Sequence, residues 1–218
     1  MTDAPDLTLP ELRAVLAPHV ADAAAFDGWS DQALDTAARA AGVDADVARL
    51  AFPHGAPQMF EAWLDTVDAA MAGAFSPERI ETMRVRDRIA ELVFWRKQHA
   101  LPHREAVRRA LSTLALPQYA PHGARHLWRT ADRIWAQAGD TATDWNWYSK
   151  RAILSGVYAA TTLFWLDDRT DGLAATRAFL DRRIDEVMRF ETWKRGLADN
   201  PYRFSLTKFL GRLRYPER

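Results

Sequence analysis

At 218 residues, with nine Trp and 48% hydrophobic content, the chain has ample material for a packed core in one large domain or two smaller ones. Zero Cys excludes disulfides, thiolate catalysis and thiolate metal ligation together, and suits a reducing compartment. The zero net charge conceals a division: residues 1–75 carry twelve carboxylates against three arginines, a balance of −9, so the remainder carries +9.

The opening MTDAPDLTLPEL has neither a basic stretch nor an apolar one, and its acidic residues are foreign to a mitochondrial transit peptide. The expectation is a cytoplasmic, bacterial protein. Thr8-Leu-Pro-Glu11 is a capping box with Pro in the first turn, predicting a helix to about Val20. Ser30 caps a second helix that Gly42 stops, and Asp44 caps a short third one. Pro57 opens a fourth helix. Ser76-Pro77-Glu78 starts a long one running through Ile80, Met83, Ile89, Leu92 and Phe94. Pro102 interrupts it, and a further helix spans about His103 to Leu114. Pro117 and Pro121 bracket a loop before the helix carrying Leu127, Trp128, Ile134 and Trp135, which ends at Gly139.

Trp145 to Asp168 is the centre of the chain. From Ala152 to Leu166 it holds no charge, and its polar members are Ser155, Thr161, Thr162 and the Tyr158 hydroxyl. Fifteen residues are far too short for a bilayer of ~30 Å, so a helix apolar on nearly every face predicts burial among other helices. Ala152, Ser155, Gly156 and Ala159 form a small-residue side where another backbone can come close. An amphipathic helix with Leu180, Ile184, Val187 and Met188 follows, and Asn200-Pro201 sets off the tail. No stretch alternates with period two, so the fold class is all-α. Three regions emerge: 1–75 acidic and helix-turn-helix-like, 76–195 helical, and 196–218 basic and amphipathic.

The spacing of Ala37 to Phe52 is that of a helix-turn-helix, yet its second helix begins Asp44-Ala-Asp46 and offers only Arg49. Phosphate contacts need Lys or Arg, so the motif reads as retained scaffold, without nucleic acid as a partner. The histidine pairs His99/His103 and His122/His126 lack a completing Glu-x-x-His, and read as surface or capping residues rather than metal ligands. No phosphate loop, nucleophile elbow or acid–base constellation is present, which argues for a non-enzyme without metal or cofactor. The aromatic-rich larger region packs either as an ordinary core or around a cavity for an apolar ligand. The lining candidates are Trp128, Trp135, Leu154, Val157, Tyr158, Phe164, Trp165 and Phe179. In the tail, Tyr202, Leu206, Phe209, Leu210 and Leu213 share one face while Arg203, Lys208, Arg212 and Arg214 lie mostly off it. Such a helix either lies on an anionic membrane or docks on its own domain.

Gly139-Asp-Thr-Ala-Thr-Asp-Trp-Asn-Trp-Tyr-Ser-Lys-Arg151 resembles the signature of the ninth coenzyme Q biosynthesis protein family, with mild departures at Ala142 and Trp145. Leu-Trp-Arg-Thr-Ala-Asp before it, Phe-Leu-Asp-Arg-Arg-Ile-Asp-Glu-Val-Met after it and Phe26-Asp-Gly-Trp-Ser30 fit the same family. The resemblance implies a fold like that of TetR regulators, turned from DNA to isoprenoid lipid. It implies an accessory protein of ubiquinone biosynthesis that binds a quinone precursor or phospholipid and presents it to the di-iron demethoxyubiquinone hydroxylase. It also implies a homodimer, peripheral on the bacterial inner membrane, with a partner-docking patch at Trp147, Tyr148 and Arg151. The alternative reading is a ligand-responsive TetR-type regulator.

Overall fold

The computed structural model describes residues 7–140 and 145–198, with side chains for 7–140 and 147–189. Every regular element among them is helical: α1 (Leu9–Asp27), α2 (Asp31–Ala41), α3 (Ala45–Ala51), α4 (Ala56–Ala74), α5 (Pro77–Glu81), α6 (Val85–His99), α7 (Arg104–Leu114), α8 (Ala120–Gln137), α9 (Trp145–Asp167) and α10 (Ala174–Ala198). None of these helices is long and apolar enough to cross a membrane.

Local chemistry sets most helix ends. The Thr8 N–H donates to Glu11 Oε2 at 2.9 Å at the start of α1. Ser30 Oγ accepts from the Ala33 N–H at 3.3 Å, and Asp44 Oδ1 from the Asp46 N–H at 2.8 Å. Between α2 and α3, Gly42 takes the left-handed conformation (φ 68°, ψ 28°) and lets the Val43 N–H reach the Ala38 carbonyl at 2.9 Å. The predicted helix-turn-helix is therefore formed.

Two predicted boundaries are corrected. α1 runs past Val20 to Asp27: Pro18 is accommodated inside it, and burial of Ala21, Ala23 and Ala24 carries it two turns further. The long helix expected from Ser76 is two helices, broken at residues 82–84. Arg88 holds the break, its Nε donating to the Met83 carbonyl at 2.8 Å and its Nη2 to the Glu81 carbonyl at 3.2 Å. Its Nη1 reaches the Ala138 carbonyl at 2.9 Å, so a distant helix end stabilises the corner.

Two apolar cores run through the bundle. The first joins α1–α4 to α7, to Trp165 and Leu166 at the end of α9, and to Leu173. It takes residues from both sides of position 75. The second gathers Met71 and Phe75 with α6, α8, the middle of α9 and α10. Side chains such as Leu16, Val20, Leu92 and Ile134 have essentially no exposure, each contributing about 1.5–3 kcal/mol relative to a solvated position. Carbonyls at the α9 C-terminus are met by arginines of α7: Arg108 donates to Leu166 at 2.8 Å and Arg104 to Asp168 at 2.5 Å. The expected enclosure of α9 is incomplete. Ala152, Gly156 and Leu163 lie on an open face, with Leu163 62% exposed.

Candidate functional site

A cavity of about 330 Å³ opens between α4, α6, α7, α8 and α9. Its wall is apolar over most of its area: Phe60, Trp63, Leu64 and Val67 from α4, Val107, Leu111 and Leu114 from α7, and Leu127 from α8. Helical spacing explains the α4 contribution, since positions 60, 63, 64 and 67 form one stripe. Gly123 lies beside Leu114, whose Cβ and carbonyl oxygen stand 3.3 and 3.4 Å from where a Cβ would project, so α7 and α8 close tightly here.

One end of the cavity is polar. Arg96 and Lys97, neighbours on α6, are both fully buried and both line it. Arg96 Nη1 pairs with Asp68 of α4, and its Nε donates to the Tyr158 hydroxyl at 3.3 Å. Lys97 Nζ donates to Thr162 Oγ1 at 2.5 Å and stands 3.6 Å from the centre of the Tyr158 ring. Burial pushes the Lys97 ammonium below its usual pKa, with Arg96 adding to the effect against the pull of Tyr158. Burial alone would raise the Tyr158 hydroxyl, but Lys97 and Arg96 outweigh it and bring it down to about 8. Trp165 is wholly buried on the same wall, and its indole N–H has no partner among the described residues. His126, expected at the surface, is buried against Phe60, and burial depresses its pKa, favouring the neutral ring. No group of three metal-ligating side chains forms among the described residues.

The eight lining candidates divide among four places. Tyr158 and Trp165 line this cavity. Trp135, Leu154 and Val157 line a second one of about 400 Å³ between α6, α8, α9 and α10, alongside Ile89, Ile184 and Val187. Phe164 and Phe179 stack on each other at 4.5 Å, on the outside of the α9–α10 pair and away from both cavities, with Phe164 38% exposed. Their helical register carries them past the interior. Trp128 instead packs against Trp147 at 5.9 Å and Tyr148 at 6.4 Å.

Those three rings form a patch at the start of α9. Trp147 is half-buried, Tyr148 is exposed, and their rings meet edge to face at 4.8 Å. Arg151, expected among the exposed residues of this patch, lies beneath it with 3% exposure. Its Nε donates to Asp132 at 2.6 Å and its Nη1 to Asp140 at 3.1 Å. Carboxylates of α8 and its C-terminal turn draw it inward, a pairing between separate segments that helical periodicity cannot reveal. Sequence reasoning also missed Arg96 and Lys97, whose place at the end of α6 looks like ordinary C-terminal charge. The available signal was their position directly after the apolar run Leu92-Val-Phe-Trp95. The membrane candidates Tyr202, Leu206, Phe209, Leu210 and Leu213 lie outside the described residues.

The patch, α8, α9 and most of α10 fall within one recognised segment. Residues 120–191 match the COQ9 family model. The ubiquinone biosynthesis protein COQ9, mitochondrial, of Rattus norvegicus is 29% identical over 168 residues, covering 74% of this chain and 54% of that protein. The protein of the same name from Xenopus tropicalis is 39% identical over 92 residues, covering 42% of this chain and 29% of its own length. The human one is 35% identical over 100 residues, covering 46% and 31%. At its longest match the chain spans about half the length of these COQ9 relatives. Among solved structures, a TetR transcriptional regulator from Nitrosomonas europaea superposes with a TM-score of 0.65 at 20% identity, covering 81% of this chain and 98% of that one. The resemblance to COQ9 and the all-α, TetR-like fold both hold. The relatives' names state a role in ubiquinone biosynthesis and no reaction. They also correct the expectation of a bacterial cytoplasmic protein on the inner membrane, because these COQ9 relatives are named as mitochondrial.

Proposed function

We propose that this chain serves ubiquinone biosynthesis as a non-catalytic lipid-binding protein, taking an isoprenoid quinone precursor into the cavity and presenting it to the demethoxyubiquinone hydroxylase. The carrying observation is the 330 Å³ cavity, apolar along α4, α7 and α8 and polar at one end, which is the lining expected of a site for an amphiphile. The patch of Trp128, Trp147 and Tyr148 at the start of α9 supports the docking half of this reading, since clustered exposed aromatics have the composition of an interface hot spot. The exposed face of α9 at Ala152 and Gly156 is a surface for a second copy of the chain. The tail residues 202–213 are assigned to an anionic membrane surface, and deleting 202–218 is expected to reduce liposome flotation.

The reading is tested by native mass spectrometry of the purified chain, followed by lipid extraction. Adducts with the masses of isoprenoid quinones or phospholipids are expected. A protein that stays free of lipid after incubation with an isoprenoid quinone would overturn it.

A further inference from the structure

The polar end of the cavity is out of charge balance. Arg96 and Lys97 bring two cations to an interior site, and among the described residues the carboxylate that meets them is Asp68. Asp68 is held by Arg96 Nη1 and is shared with the exposed Arg133, whose Nε stands 4.0 Å from it. Lys97 is left with a threonine hydroxyl and the face of a tyrosine. A buried ammonium without a counter-charge is costly, and a protein that only needed to fill this space would be better served by an apolar residue. Two further donors are idle beside it: Arg96 Nη2 and the Trp165 indole N–H are buried without a partner among the described residues. Both residues line the cavity and are essentially unexposed. Lys97, Arg96 Nη2 and the Trp165 indole are all hydrogen-bond donors, while the other partnerless group on the lining, among the described residues, is the neutral ring of His126. Two cations and an idle indole at one end point to an occupant that supplies oxygen acceptors and negative charge there.

We infer that the cavity is built for an amphiphile with an acidic head, a carboxylate received by Lys97, Arg96 and the indole of Trp165, with its chain along the apolar wall of α4 and α7. This rests on the reading that the cavity holds an amphiphile, and adds the chemistry of the head. A plain fatty acid and an aromatic acid bearing an isoprenoid chain share that chemistry. The lowered Tyr158 hydroxyl points the same way, because the two cations favour negative charge on the nearest group able to carry it.

The test is displacement of the neutral dye Nile red from the full chain by two matched pairs: decanoate against decanol, and a geranyl-substituted benzoate against its methyl ester. At least one acid should bind about tenfold tighter than its neutral counterpart, the scale of one charge-assisted hydrogen bond, and the tighter acid names the source. Lys97→Met removes the charge at similar bulk and should erase the preference of acid over neutral partner. Equal binding of acid and neutral partners by the unaltered chain overturns the inference and leaves the amphiphile reading standing. A preference that survives in Lys97→Met overturns it as well. If neither acid nor neutral compound displaces the dye, both readings fall together.

Discussion

The guanidinium carbon of Arg151 lies 3.9 Å from the centre of the Trp147 ring, with the arginine buried and the indole half open to solvent. The patch at the start of α9 thus stands on a charged support, and its members divide by role. Removing the support from Asp140, itself 5% exposed, leaves a buried carboxylate with one cation fewer. Arg151→Met is expected to cost about 3 kcal/mol of stability, the scale for breaking a buried pair from one side. Tyr148→Ala should leave the melting curve nearly unchanged and weaken hydroxylase binding by roughly 2 kcal/mol or more. Thermal melts and pull-down on both variants check this, and a Tyr148→Ala protein that melts early would remove Tyr148 from the docking surface.

A second separation concerns the apolar residues of α9. Leu154 is 3% exposed in the second core, whereas Phe164 is 38% exposed and stacked on Phe179. Leu154→Ala should cost about 2–5 kcal/mol, as core truncations do. Phe164→Ala should cost less, about 1 kcal/mol, chiefly the loss of one stacked aromatic pair. Urea denaturation of the two variants gives the comparison directly, and equal losses would place Phe164 in the interior.

Asp168 predicts an acid dependence. Burial would raise its pKa, yet donors from Thr170 and Thr176 hold the carboxyl well below the usual carboxylate range. Its Oδ2 accepts from the Thr176 N–H at 2.8 Å and hydroxyl at 2.6 Å, and Oδ1 from the Thr170 N–H at 2.8 Å, fixing the turn into α10. A carboxyl with a depressed folded pKa contributes stability above its unfolded value, about 4, and loses it as pH falls through the folded one. Asp168→Asn should therefore cost about 2 kcal/mol near neutrality, with a deficit that shrinks steadily below about pH 4. Denaturation midpoints measured across that range supply the test; a deficit independent of pH would assign the loss to packing.

Nucleic acid makes a fourth case. Arg49, the cation of α3, donates to Asp35 at 2.6 Å and to Asp46 at 2.8 Å, so its charge is already engaged. Shift assays at low salt, where screening is weakest, should show no sequence-preferring complex below micromolar concentration. Such a complex would restore the regulator reading.

What could be read from sequence was what neighbouring residues decide among themselves. Thr8 with Glu11, Ser30, Gly42 and Asp44 each set a helix end within four positions, and all four appear as expected. The apolar length of α9 was equally legible. The break at residues 82–84 was not, because the carbonyl of Ala138 that helps Arg88 hold it comes from another helix. Nor was the burial of Arg151, which waits on Asp132 and Asp140, or that of Lys97, which waits on Thr162 and Tyr158. Charged residues were misplaced wherever their partners lay far along the chain, while local capping and apolar spacing carried the fold and one wall of the cavity.

Phe60 and Trp63 have two sides. One faces the cavity; the other meets Trp29, whose ring lies 5.2 Å from Phe60 and 6.2 Å from Trp63. Trp29 in turn is pinned by a hydrogen bond of 2.8 Å from its indole to the Ala106 carbonyl on α7. A guest in the cavity would touch the same two rings that the indole leans against, which links the cavity to the helix-turn-helix end of the molecule by direct packing. The expected consequence is an occupancy gauge: the emission of Trp29 should respond to a guest it never touches.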